Sequence, residues 1–238
     1  MRKMLTKILN DINSVLIPRV CFGCNAHLHR GEDIVCTVCR NELPLTEYTF
    51  NDENPVDRMF YGRINIKKAN SFLFFSENGI VQRLIHHLKY KNQERVSAFL
   101  GDWYGQILKD DIDFAKQIDI VIPVPLHPKK LRQRGYNQTE GFSKRLAHHL
   151  QAQYVDDILI KTANTKTQTK KGRINRWQGD SELYILANAD VLKNENILLV
   201  DDVITTGATM EICANTLLKA PGTTIYLTSM AVVPKLWS

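Results

Sequence analysis

Asp201 and Asp202 sit side by side at the end of a run of four apolar residues, Ile197-Leu198-Leu199-Val200. Such a run reads as a strand buried on both faces, and two charges at its end are costly unless something binds there. Val203, Ile204, Thr205, Thr206, Gly207 and Ala208 follow as a short loop, and a helical stretch runs from about Thr209 to Lys219. In open α/β sheets, ligands bind outside the carboxyl ends of the strands. A loop that opens a helix offers backbone N–H groups and a partial positive charge, which suits a phosphate. The carboxylates can accept hydrogen bonds from sugar hydroxyls, directly or beside a bound Mg²⁺. An Asp-rich turn before an ordinary helix explains neither the doubled Asp nor three Thr around one Gly.

Two Cys-x-x-Cys pairs, Cys21 with Cys24 and Cys36 with Cys39, are the second chemical feature. Each pair can chelate one metal from a tight turn, and two pairs complete a tetrahedral thiolate site. Gly23 suits that turn. The expected ion is a structural Zn²⁺ with no open coordination position, so its role lies in folding. A rubredoxin-like iron site and a redox pair of dithiols stand as the alternatives. His27 and His29, inside the spacer, are expected at the surface, and Cys213 in the core.

Basic residues form the third. A buried strand from Ile118 to Val124 runs into Pro123-Val124-Pro125, and Lys129, Lys130, Arg132 and Arg134 follow. Cations there can offset a diphosphate, and they can equally meet nucleic-acid phosphates. Lys161 to Glu182 is basic, carries Trp177 and lacks apolar periodicity, so a long mobile loop is expected. His86-His87-Leu88-Lys89-Tyr90-Lys91 is either a solvated helix end or a phosphate contact.

Elements that could hold these groups follow from periodicity. Ile80, Val81, Leu84, Ile85 and Leu88 trace one helical face; Val96 to Leu108 trace another; Phe142, Leu146 and Leu150 a third. Leu5, Ile8, Leu9, Ile12, Val15 and Leu16 predict an amphipathic N-terminal helix. Residues from about Asn41 to Ile66 read as a connector. Short strands are expected at Ser71–Phe75 and Ile158–Ile160, and a last one from Ile225 to Val233. The organisation is thus α/β, with a small metal module over residues 1–50 and a main domain over 51–238. At 238 residues the chain is long enough for both. No apolar run approaches the ~20 residues of a membrane span, so a cytoplasmic protein without disulfides is expected. The net charge of +6 agrees with phosphate-rich ligands.

The stretch from Ile197 to Met210, four hydrophobics and then D-D-h-h-T-T-G-x-T, resembles the ribose-5-phosphate loop of type I phosphoribosyltransferases. The resemblance implies that fold, a parallel twisted sheet flanked by helices. It also implies that Asp201 and Asp202 face the ribose hydroxyls while Val203 to Thr209 wrap the 5′-phosphate. Thr205, Thr206 and Thr209 would add hydroxyl donors, and Gly207 would let the backbone approach. Pro123, Val124 and Pro125 stand where these enzymes keep a pyrophosphate loop, with Lys129, Arg132 and Arg134 as candidate diphosphate contacts.

The combination P-V-P-L-H-x-x-x-L-R-x-R-G-Y-N-Q, with the double Cys-x-x-Cys and the terminal loop, resembles the ComF family over nearly the full length. Thr167, Gln168, Arg173 and Arg176 match a further family segment, whose Asn is Gly179 here. Arg173 and Arg176 become candidates for a loop that closes over the diphosphate. What the resemblance implies is binding of phosphoribosyl diphosphate or ribose 5-phosphate with Mg²⁺, in a protein serving DNA uptake during natural competence. Single-stranded DNA and competence-machinery proteins would be its partners. The alternative is an active phosphoribosyltransferase of nucleotide metabolism that uses an unidentified nitrogen acceptor; no catalytic residue is assigned. Only Pro234 to Ser238 follow the last strand. A pocket for an acceptor base would therefore fall to the N-terminal module or to the helices near residues 80–108.

Overall fold

The computed structural model describes residues 19–162 and 183–234. The expected N-terminal helix and the loop candidates Arg173, Arg176 and Trp177 lie outside the described residues. The chain enters through the cysteine-rich turns and one helical turn, α1 (Thr37–Asn41). Asn54 then starts α2 (Pro55–Arg58): its side chain accepts from the Val56 and Asp57 N–H groups, and Asp57 reaches back to it in a capping box. This stretch is more than the connector its composition suggested, because Val56, Met59 and Phe60 are buried. Four helical residues are too few to leave a periodic signature.

β1 (Lys68–Ala69) and β2 (Leu73–Phe74) follow, then the amphipathic α3 (Ile80–Tyr90) and α4 (Arg95–Asp110), and the short α5 (Ile112–Ala115). β3 (Ile120–Pro123) leads into α6 (Pro128–Arg134), α7 (Glu140–Leu150) and β4 (Gln153–Tyr154). An antiparallel pair, β5 (Leu159–Lys161) and β6 (Tyr184–Leu186), precedes β7 (Asn196–Ile204), α8 (Ala208–Leu217) and β8 (Thr224–Val232).

All strands of the main sheet are parallel. β7 lies between β3 and β8, β4 borders β3, and β1 and β2 both pair with the far edge of β8. A parallel sheet needs cover on both faces, and the buried apolar side chains divide accordingly. Leu198 and Val200 of β7 join a cluster with α3, α4 and α7, in which Cys21, Phe22, Cys36 and Cys39 also pack. Ile197 and Leu199 join the other, with α2, the β5–β6 pair and α8. Gly101 lets α4 lie against α7, since a Cβ there would come within 2.8 Å of the Phe142 backbone. The architecture is therefore the helix-flanked parallel sheet that the sequence predicts.

Candidate functional site

β7 delivers both carboxylates to the carboxyl edge of the sheet, and both are buried. Asp202 is compensated. Lys89 Nζ of α3 lies 2.9 Å from its Oδ2, and Gln138 Nε2 donates to the same oxygen at 2.7 Å. Asp201 accepts the Asp202 backbone N–H at 2.8 Å, and no ion pair reaches it among the described residues. Burial, and then the neighbouring charge of Asp202, push its carboxyl up to about 7. A carboxyl whose anion is disfavoured by burial and by a neighbouring carboxylate has room for hydroxyl donors that would stabilise that anion.

The loop after the pair is shaped by Gly207. Its φ of +77° favours glycine, and a Cβ would come within 2.7 Å of the Phe60 ring. Phe60, on the turn after α2, is fully buried beneath it. Arg63 braces the same loop: Nη1 donates to Thr206 O and to Met59 O, both at 2.9 Å, and the guanidinium pairs with Glu211 in the first turn of α8. Thr205, Thr206 and Thr209 are exposed at the helix start. The N-terminus of α8, a ten-residue helix whose N-cap Gly207 offers no side chain, opens at the same loop, an arrangement able to receive a phosphate. Arg63 has no periodic or motif signature and was not anticipated.

The four cysteines converge as well. Their sulfur atoms lie within 4.8 Å of one another, and Cys24 and Cys36 Sγ are 3.7 Å apart. Burial opposes ionisation of Cys21, but backbone N–H groups of Cys36, Cys24 and Gly23 outweigh it and bring the thiol down to about 7. Donors aimed at sulfur and four converging thiols fit a tetrahedral metal, so Cys21, Cys24, Cys36 and Cys39 would hold a zinc ion. His27 and His29 are exposed and outside this group.

Competence protein F of Haemophilus influenzae is 32% identical over 203 residues, spanning 80% of this chain and 86% of that protein. This chain belongs to the ComF family. Competence protein ComFC of Bacillus subtilis is 25% identical over 205 residues, 84% of this chain and 78% of the relative. The DNA utilization protein YhgH of Escherichia coli O157:H7 is 28% identical over 150 residues, 60% of this chain and 63% of its own length. No protein-family model matches the chain. Among solved structures, a purine phosphoribosyltransferase from Pyrococcus horikoshii aligns over 56% of this chain and 74% of its own, at 21% identity and a TM-score of 0.34. A hypoxanthine phosphoribosyltransferase from Staphylococcus aureus aligns over 60% and 75%, at 12% identity and a TM-score of 0.35.

The Arg-Gly-Tyr-Asn-Gln stretch of this ComF chain turns out to be a junction. Gly135 ends α6 in the left-handed region; the Tyr136 hydroxyl donates to Leu88 O of α3; Asn137 Nδ2 donates to Val124 O at 3.0 Å; Gln138 holds Asp202. Three successive side chains thus bind three separate elements of the site. Arg134 donates to Gln138 Oε1 and is linked to Asp202 through it. Lys129 and Arg132 are exposed on α6, which composition alone had not marked as helical. Neither makes an ion pair among the described residues. Pro123 and Val124 are buried beside Val200, with Pro125 at the start of the turn into α6.

Lys89 and Lys161 complete the charge balance. Lys89 belongs to the basic stretch on α3, and nothing local signals its pairing with Asp202. Lys161 donates to the Tyr184 hydroxyl at 2.7 Å. Burial lowers its pKa, Asp201 acts against that, and Lys130 adds to it, so Lys161 belongs to the Asp201 side of the site.

Proposed function

We propose that this ComF-family protein binds phosphoribosyl diphosphate or ribose 5-phosphate at Asp201–Thr209 and serves DNA uptake. The observation that carries the reading is the buried carboxylate pair followed directly by the Gly207 loop and the start of α8. Ribose hydroxyls would donate to Asp201 and Asp202, and the 5′-phosphate would accept from the loop N–H groups and Thr205, Thr206 and Thr209. Pro123–Pro125 with Lys129, Arg132 and Arg134 would face the diphosphate, and Arg173 and Arg176 would close over it. Carboxylate oxygens suit Mg²⁺, but Lys89 already compensates Asp202, so the ion would be carried chiefly by the diphosphate, whose charge it would neutralise. The names of the curated relatives support a role in handling incoming DNA, with single-stranded DNA and competence proteins as partners. The exposed cations of α6 agree with that role.

The test is a thermal shift. Phosphoribosyl diphosphate with Mg²⁺ is expected to raise the melting temperature of the wild type, because a ligand bound only by the folded chain stabilises it. The double variant Asp201→Asn/Asp202→Asn should lose that shift; a shift that persists there, or is missing in the wild type, overturns the assignment. An enzyme of nucleotide metabolism is the second reading, favoured by the cations of α6, of which Arg134 is linked to Asp202 through Gln138 and where leaving diphosphate could be stabilised. Pyrophosphate release that depends on an added nucleobase or amine would decide for it.

A further inference from the structure

A cavity of about 400 Å³ lies beside β4, with Gln153 to Ile158 along one wall and Ala187, Asn188 and Val191, after β6, along the other. Binding sites typically span ~300–1,000 Å³, so its size is that of a site rather than a packing fault. No residue of the Asp201–Thr209 loop or of α6 lines it, which sets it apart from the sugar-phosphate site.

The backbone along this cavity is an open sheet edge. β4 borders the main sheet and pairs with β3 alone. The N–H groups of Gln153 and Val155 donate to Asp119 O and Val121 O, toward β3. Peptide groups alternate in direction along a strand, so the N–H and C=O of Tyr154 face the other way, where no described strand lies. Such an edge is a template for a further strand. The side chains decide which strand fits. Val155 and Ile158 are buried and Val191 is exposed, so the groove has an apolar floor and rim. Asp156 accepts the Tyr154 hydroxyl at 3.0 Å, and neither Asp156 nor Asp157 makes an ion pair among the described residues. No basic residue lines the cavity, and Lys144, which lies over the Tyr154 ring, is held by Glu140 at 2.6 Å. Two carboxylates without a counter-ion repel an acidic strand and favour one that brings an ammonium or guanidinium group.

We infer that the β4 edge is a docking site for an extended, basic segment of a partner protein, which adds a strand beside Tyr154 and brings a Lys or Arg side chain to Asp156 and Asp157. Main-chain hydrogen bonds supply the affinity of such added strands, and side-chain pockets supply the choice of partner. The inference does not depend on what binds at Asp201 and Asp202.

Titration of the full-length, zinc-loaded protein with a capped hexapeptide of alternating valine and lysine tests it, read by calorimetry and by hydrogen exchange. The peptide should bind and slow exchange of the Tyr154 amide. Its glutamate counterpart should bind roughly tenfold or more weakly. Asp156→Asn/Asp157→Asn, both at exposed positions, should weaken the lysine peptide by about the same factor. A lysine peptide N-methylated along one edge keeps its charge but loses the donors that a strand needs, and should not bind. Equal binding of that peptide, or of spermidine, would mean attraction by charge alone and would overturn the added strand. Binding that leaves Tyr154 unprotected, or that ignores the double substitution, would place the peptide elsewhere and overturn the site. Absence of binding by the lysine peptide overturns the inference outright.

Discussion

Asp201 and Asp202 are adjacent in sequence, yet β7 gives them different surroundings. Asp202 belongs with the α3 and α7 layer, where Lys89 and Gln138 meet its carboxylate. Asp201 belongs with the α8 and β5–β6 layer, where Cys213, Tyr184 and Lys161 lie nearby and burial raises its pKa. The difference teaches how one carboxylate pair can do two things. The compensated member is fixed before any ligand arrives, and the uncompensated member keeps an unmet demand for donors that a sugar can supply.

The Asp202 layer also carries the metal module, and this gives the largest expected effect. Phe22 stacks on His87 with ring centres 4.4 Å apart, and Arg83 reaches back from α3 to Gly23 O. Stripping the metal from a structural Cys₄ site should cost on the order of 5 kcal/mol or more, since its binding energy is folding energy. Elemental analysis should return one zinc per chain, and chelation should lower the melting temperature. Hydrogen exchange should then speed up in α3 before it does in β5 and β6. Equal loss of protection on both faces would break the contrast between the layers.

Next in size are substitutions within the pair. Lys89→Met strands a buried Asp202 carboxylate; breaking a buried pair costs ~3–5 kcal/mol, discounted to about 2 because Lys89 keeps partial exposure. Asp201→Asn should do the reverse above neutral pH. Its folded pKa of about 7 stands above that of an ordinary Asp carboxyl, so across the range between them the native state holds a proton that the unfolded chain has lost. That contribution is complete below about pH 4 and is lost as pH rises through about 7. The melting temperature of Asp201→Asn relative to wild type should therefore climb across that window and level off above it. A flat difference would mean that Asp201 is as well compensated as Asp202.

How much of this was legible in the chain follows from the range of each interaction. The β7 run, the Gly207 loop, the amphipathic helices and the cysteine pairs are local patterns, and each could be located by residue. Asp202 with Lys89, Gly207 with Phe60 and Phe22 with His87 join segments far apart in sequence, where periodicity carries no information. The stretch 41–66 hid Phe60 and Arg63 for the same reason: a four-residue turn leaves no repeat, and its function is visible only against the loop it supports.

Gly207→Ala tests the shared loop, which neither layer owns. A Cβ there meets both a left-handed φ and the Phe60 ring, at a cost of about 1–3 kcal/mol; ribose 5-phosphate affinity should fall while Lys89 and Asp202 stay paired. Preserved affinity would mean that the loop's shape is not what holds the phosphate.

The smallest effect is the sharpest on the comparison. Burial and the neighbouring Asp202 disfavour the Asp201 anion, and hydroxyl donors from a bound ribose favour it. Binding of ribose 5-phosphate near neutral pH should therefore release a fraction of a proton from Asp201, on top of any uptake by the phosphate itself. Calorimetry in buffers of different ionisation heat reads this number directly. The release should vanish in Asp201→Asn and persist in Lys89→Met. If it followed Lys89 instead, the unmet demand would belong to Asp202, and the roles of the two carboxylates would have to be exchanged.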